Sequence, residues 1–148
     1  MTNADMDIRD RVVDRDDDLA DVLAMLLDTA IRRQMWLIFI DDRGCVAGPL
    51  MPLDDLRTEP DEPVETRDLG ELPVATVLMH RIGEFLEHTG NARVVLVWER
   101  RGSRRVQERD RAWAQAMAMQ ALELEVPLRA QFLLHNHGLR QLHPDDWL

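Results

Sequence analysis

The sequence has no lysine, no tyrosine, a single serine, Ser103, and a single cysteine, Cys45. Without lysine there is no P-loop lysine, no kinase-type phosphate lysine and no lysine that could form a Schiff base. Ser103 lies in RGSRR rather than in the G-x-S-x-G elbow of serine hydrolases. One cysteine excludes an internal disulfide and any metal site built from several cysteines. This scarcity of nucleophiles argues against an enzyme.

The chain of 148 residues is 45% hydrophobic and 31% charged, with a formal net charge of −10. This length and composition are typical of one globular domain. No apolar run approaches the ~20 residues that cross a bilayer, and the acidic first residues contain no apolar signal core. We therefore expect a cytoplasmic protein with no membrane partner. The negative charge argues against nucleic acid as a partner, except at a local basic patch.

Residues 1–17 are rich in Asp and Arg, a composition that favours a solvated, disordered arm. A single α/β domain is expected to occupy residues 18–148. Within it, apolar residues from Leu19 to Ile31 recur at helical spacing and predict an amphipathic helix. Two further helices are predicted at 73–90 and at 110–125, where Pro127 follows the second.

Two unbroken apolar runs, at 35–40 and 93–99, predict strands that are buried on both faces. Residues 45–53, 130–135 and 139–142 complete a predicted five-stranded mixed sheet, in the order 2-1-3-4-5 by position along the chain. Its centre is expected to be parallel and its edges to be antiparallel hairpins, with helices on both faces. Residues 54–72 predict a long surface loop. The element order resembles the cytidine-deaminase-like layout, but the zinc motifs of that family are absent.

The helix at 110–125 has apolar residues on two sides. Trp113, Met117 and Ala121 form a core face, whereas Met119 and Leu122 lie on the other side of the helix. An additional apolar face predicts that the helix is covered by more than its own sheet. We therefore interpret the protein as a non-catalytic binding or assembly module. Its partner is expected to be another protein or a second copy, as in a homodimer.

The segment LLHNHGLRQLHPDD contains an H-x-H stretch. It resembles the corresponding stretch of the JAMM metallohydrolase family, which includes the bacterial RadC proteins, although Gly138 stands where that family has proline. The resemblance implies a zinc-dependent hydrolase in which His135, His137 and Asp145 or Asp146 hold the metal and Glu99 is a possible base. The alternative interpretation is that Asn136, His137 and Gly138 serve only to form a tight turn.

A second unusual stretch is the arginine loop, residues 100–111, which follows the strand at 93–99. It carries six arginines against one glutamate and one aspartate: Arg100, Arg101, Arg104, Arg105, Arg109 and Arg111. Ligands of open α/β sheets dock at the carboxyl ends of strands, and guanidinium groups suit phosphate and carboxylate. The loop is therefore a candidate site for an anion, a protein partner or nucleic acid. The alternative is a solvated connector that balances the acidic charge.

Overall fold

The computed structural model describes residues 8–54, 56–57 and 59–148. Four helices and seven strands have these bounds: α1 (Asp16–Leu26), β1 (Gln34–Ile40), β2 (Val46–Leu53), β3 (Pro63–Thr66), β4 (Gly70–Pro73), α2 (Val74–Thr89), β5 (Arg93–Glu99), α3 (Glu108–Glu123), β6 (Leu128–His135), β7 (Gly138–Leu142) and α4 (Pro144–Trp147). Every strand and long helix predicted from the sequence is present, within a few residues.

The main sheet has five strands in the order β2-β1-β5-β6-β7, as predicted, with β5 in its centre. Only β5 and β6 are parallel, because β1 and β5 run antiparallel with Ile40 opposite Arg93. The prediction of a wholly parallel centre was therefore wrong. The β1–β2 hairpin reverses the chain, and the α2 crossover then returns it to the direction of β2. As a result β5 runs with β2 and against β1, which lies between them.

Alternate residues of β5 belong to two different hydrophobic cores. Val94, Leu96 and Trp98 pack with α2 and α3 on one face, whereas Val95 and Val97 pack with α1 on the other. The side chains of a strand alternate between the two faces of a sheet, so a strand covered on both sides needs apolar residues at every position. The predicted three-layer α/β architecture is confirmed.

The segments outside these layers are more ordered than their composition predicts. Residues 54–72 contain most of a separate two-stranded sheet, β3–β4, rather than only a loop. In the predicted disordered arm, residues 1–7 lie outside the described residues, but Val13 is fully buried and Val12 bridges to Cys45. The prediction of disorder therefore fails for residues 8–17. Two adjacent apolar residues among the charges, Val12 and Val13, were the signal for this contact.

None of the helices that the structure describes combines the length and the apolar character needed to cross a membrane.

Candidate functional site

The carboxyl end of β5 is the point where most of the polar features meet. Glu99, its last residue, is only 4% exposed. Its Oε2 accepts hydrogen bonds from the amides of Ile31 and Arg32 at 2.7 and 3.0 Å. Its Oε1 accepts from the side chains of Gln34 and Trp36 at 2.9 and 2.8 Å. Glu99 therefore fixes the connection between α1 and β1 to the centre of the sheet.

These four donors also determine the ionisation of Glu99. Burial alone would raise its pKa, but the hydrogen bonds, led by the backbone amides of Ile31 and Arg32, outweigh burial and lower the pKa below the ordinary value. A general base works best with a pKa near the working pH. A carboxylate with a lowered pKa, whose two oxygens already accept four hydrogen bonds, is poorly suited to that role. The possible base implied by the JAMM resemblance is therefore a structural anchor.

Arg100, the first residue of the arginine loop, forms a buried ion pair with Asp110 of α3. The side chains of Arg100 and Asp110 are 12% and 7% exposed, and Nη2 of Arg100 lies 2.7 Å from Oδ2 of Asp110. The same guanidinium donates to the carbonyls of Arg101, Ser103 and Arg105, which are residues of its own loop. Arg100 was predicted to bind an anion or a partner, but its donors are used to hold the loop in one conformation.

Other contacts make the arginine loop a structured segment. Gly102 and Asn136 are joined reciprocally, since the Gly102 amide donates to Oδ1 of Asn136 and the Asn136 amide donates to the Gly102 carbonyl. Gly102 has a φ of +120°, and an added Cβ would lie 3.0 Å from Nη1 of Arg100, so this position requires glycine. Nε of Arg101 donates to the carbonyl of Ile31. These contacts hold the loop in one conformation, whereas its interpretation as a solvated connector that balances charge stays open.

The remaining arginines of the predicted site are exposed: Arg104, Arg105 and Arg109. Of these, only Arg109 lines a small cleft, of about 90 Å³, which lies between the start of β1, the end of β5 and the first turn of α3. Arg33, Trp98 and Trp113 also line this cleft. The residues predicted from the loop alone thus do not form one site, and the surface patch for nucleic acid stays a prediction.

Three residues of this region were not identified from the sequence: Arg33, Gln34 and Asp110. Asp110 is the third residue of α3 and accepts a hydrogen bond from the amide of Gln107, the residue that precedes the helix. A polar residue followed three positions later by an acid is a helix-start pattern and could have identified Asp110. The sequence around Arg33 does not indicate a place in the cleft, because that place depends on the pairing of β1 with β5.

The HNH turn has the geometry of a tight turn between β6 and β7. The His137 amide donates to Nδ1 of His135 at 3.2 Å, and His135 is buried at the end of β6. Burial first, and then the charges of His137 and the nearby arginines, lower the pKa of His135. A lowered pKa favours the neutral imidazole, and Nδ1 of His135 accepts the hydrogen bond that closes the turn.

Asp146, the third ligand implied by the JAMM resemblance, has other partners. Its carboxylate lies 2.9 Å from Arg140 and also accepts from the His143 amide at the start of α4. Within the part of the chain that the structure describes, no group of three or more His, Cys, Asp or Glu side chains could hold a metal ion. The structure therefore gives no support to a zinc centre at His135, His137 and Asp146.

The second face of α3 is open to solvent in the single chain, so its predicted cover stays a prediction. Met119 is 55% exposed and Leu122 is 84% exposed. Leu122 borders a groove of about 680 Å³ between α3, α4 and the β6–β7 edge of the sheet. Apolar residues form most of this groove, among them Val126, Leu128, Leu142 and Trp147.

The sequence comparisons assign no family to these features. No protein-family profile matches the chain, and no curated protein is significantly similar to it. Any function must therefore be inferred from the geometry.

Proposed function

We propose that this chain is a non-catalytic binding module that assembles with a second copy of itself through the α3 groove. The observation that carries the proposal is the exposure of Leu122 beside a groove whose volume lies in the range of ordinary binding pockets. A large apolar side chain next to an apolar concavity on a soluble domain indicates an interaction surface.

The position of the groove supports self-association. One of its walls is β7, an edge strand that pairs only with β6 in the described sheet. An edge strand presents unpaired backbone groups, and two identical edges can pair about a two-fold axis. The ion pair between Arg129 and Asp16, at 2.9 Å, lies at the border of the groove. A polar border around an apolar centre is typical of protein interfaces.

The acidic residues at the carboxyl end of β5 serve the fold, which is consistent with this function. Glu99 has a lowered pKa and four hydrogen-bond donors, and the carboxylate of Asp110 is paired with Arg100. The described residues also contain no metal-binding cluster. The groove, by contrast, offers apolar area that is unused within one copy.

The test is the mass in solution by light scattering over a concentration series. We expect the wild type to be a dimer and the Met119→Glu, Leu122→Glu variant to be a monomer. Burying one Leu or Met side chain contributes about 1.5–3 kcal/mol. Replacing both Met119 and Leu122 by charged glutamates removes two such contributions, so the dimer should be weakened by more than about a hundredfold.

The matched control is Met25→Glu with Ile31→Glu, two other exposed apolar residues that lie outside α3 and do not line the groove. This control should remain dimeric. A monomeric wild type would contradict self-association and leave a different protein as the partner. A dimer that survives the substitutions in α3 would place the interface elsewhere.

A further inference from the structure

The cleft at the end of β5 is a second candidate binding site, on a different part of the molecule from the α3 groove. No residue lines both. Its volume of about 90 Å³ equals roughly three water molecules at ~30 Å³ each. The cleft therefore has room for the head group of a ligand rather than for a whole cofactor.

The charges that line the cleft are unevenly compensated. Arg100 is neutralised by Asp110, and Glu99 is held by four N–H donors. Arg33 and Arg109 have no carboxylate within ion-pair distance among the residues that the structure describes. Within the described part of the chain, Arg33 donates to two backbone carbonyls, those of Leu56 and Arg57.

The charge of Arg33 is only partly compensated by the residues around it. Burial lowers the pKa of its guanidinium and the like charge of Arg109 lowers it further, whereas the smaller effect of the Asp110 carboxylate opposes them without reversing the shift. A partly buried cation beside a second cation is the arrangement that an added anion relieves. This agrees with the geometry of the cleft, in which the two arginines line the same small space.

We infer that the cleft binds the carboxylate group of a small acid or of an acidic side chain, between Arg33 and Arg109. Three arginines and two carboxylates line the cleft, so one positive charge remains, which matches a monoanion better than a dianionic phosphate. Guanidinium groups bind carboxylates through paired N–H donors. The indoles of Trp98 and Trp113, with centroids 5.6 Å apart, supply an apolar wall for the carbon that bears the carboxylate.

The indole N–H signals of the four tryptophans can report binding, after assignment by Trp→Phe substitution. In a nuclear magnetic resonance titration with sodium acetate at constant ionic strength, the signals of Trp98 and Trp113 should shift and saturate. The signal of Trp147, which lines the α3 groove instead, should not move with them. Parallel titrations use inorganic phosphate and a blocked Gly-Glu-Gly peptide.

Arg109→Gln should weaken acetate binding by about tenfold, the effect of losing one charge-assisted hydrogen bond. Arg109 contacts no carboxylate among the described residues, so this change should leave the fold intact. The control is Arg105→Gln, which removes the same charge from the same loop outside the cleft and should leave acetate binding unchanged. Tighter binding of the peptide than of acetate would identify an acidic side chain as the ligand, and the reverse would identify a free acid.

Three results would overturn the assignment. The first is the absence of a saturable shift at Trp98 and Trp113. The second is an equal loss of binding in Arg105→Gln and Arg109→Gln, which would indicate diffuse attraction to the arginine loop. The third is saturation by phosphate without saturation by acetate, which would reject the carboxylate as the ligand. None of these results depends on whether the protein forms a dimer.

Discussion

Replacing Glu99 by Gln tests the most connected polar residue of the fold. The substitution keeps the size of the side chain but turns one of its two accepting oxygens into an NH₂ donor. Two of the four groups that now donate to Glu99 would then face a donor instead of an acceptor. Gln34 can rotate its amide and offer an oxygen, whereas the Trp36 indole and the two backbone amides cannot change role.

The expected loss of folding stability follows from the number of donors that are left without an acceptor. At least one partly buried donor is left without an acceptor, at about 1–3 kcal/mol, and the hydrogen bonds that remain lose the charge of their acceptor. We expect the free energy of unfolding to fall by about 2–4 kcal/mol. For a chain of this length this corresponds to a fall in the melting temperature of roughly 5–12 °C.

The effect should depend on pH. The folded-state pKa of Glu99 lies below its value in the unfolded chain, so its stabilisation is complete above the ordinary glutamate pKa of about 4.3. It is lost as the pH falls through the lowered folded-state pKa. The difference in stability between wild type and Glu99→Gln should therefore be greatest near neutral pH and should shrink in acid.

The measurement is urea unfolding of both proteins between neutral pH and about pH 3. Glu87→Gln, on the exposed face of α2, is the matched control and should differ from wild type by less than about 0.5 kcal/mol. A Glu99→Gln variant as stable as wild type would refute the argument. So would a loss of stability that stays constant as the pH falls.

Two further predictions follow from the same region. Arg100→Gln should cost about 3–5 kcal/mol in urea unfolding, because it leaves the carboxylate of Asp110 buried without its cation, and a cost below about 1 kcal/mol would contradict this role. Protein purified without a chelator or an affinity tag should contain no zinc by elemental analysis, since no third ligand joins His135 and His137 among the described residues. Added zinc should not raise its thermal stability. Stoichiometric zinc in the purified protein would support the hydrolase hypothesis instead.

The order of the strands could be predicted from the sequence, whereas their directions could not. The apolar run at 93–99 identified a strand covered on both faces, and a strand of this kind lies inside a sheet. The direction of β5 relative to β1 depends on which strand the crossover starts from. The apolar pattern does not carry that information, because it is the same for parallel and antiparallel neighbours when both faces are buried.

Some residues of the candidate sites could likewise be predicted from the sequence, and others could not. Leu122 and Met119 were predicted from helical periodicity, which decides which side of a helix faces its own sheet. The role of Arg100 could not be predicted, because a guanidinium is suited equally to an internal carboxylate and to an external anion. What decided between the two was the position of Asp110, ten residues further along the chain, and that position follows from the packing of α3.

The placement of β1 between β2 and β5 has a consequence for the newly made chain. The β1–β2 hairpin can form as soon as both strands leave the ribosome, but the other edge of β1 pairs with β5, where Ile40 lies opposite Arg93, roughly fifty residues later. At about 5–20 residues per second this interval lasts on the order of 3–10 s. During that time an apolar strand, MWLIFI, has one edge without a partner. We expect this edge of β1 to be open to aggregation and to capture by a chaperone until β5 is complete.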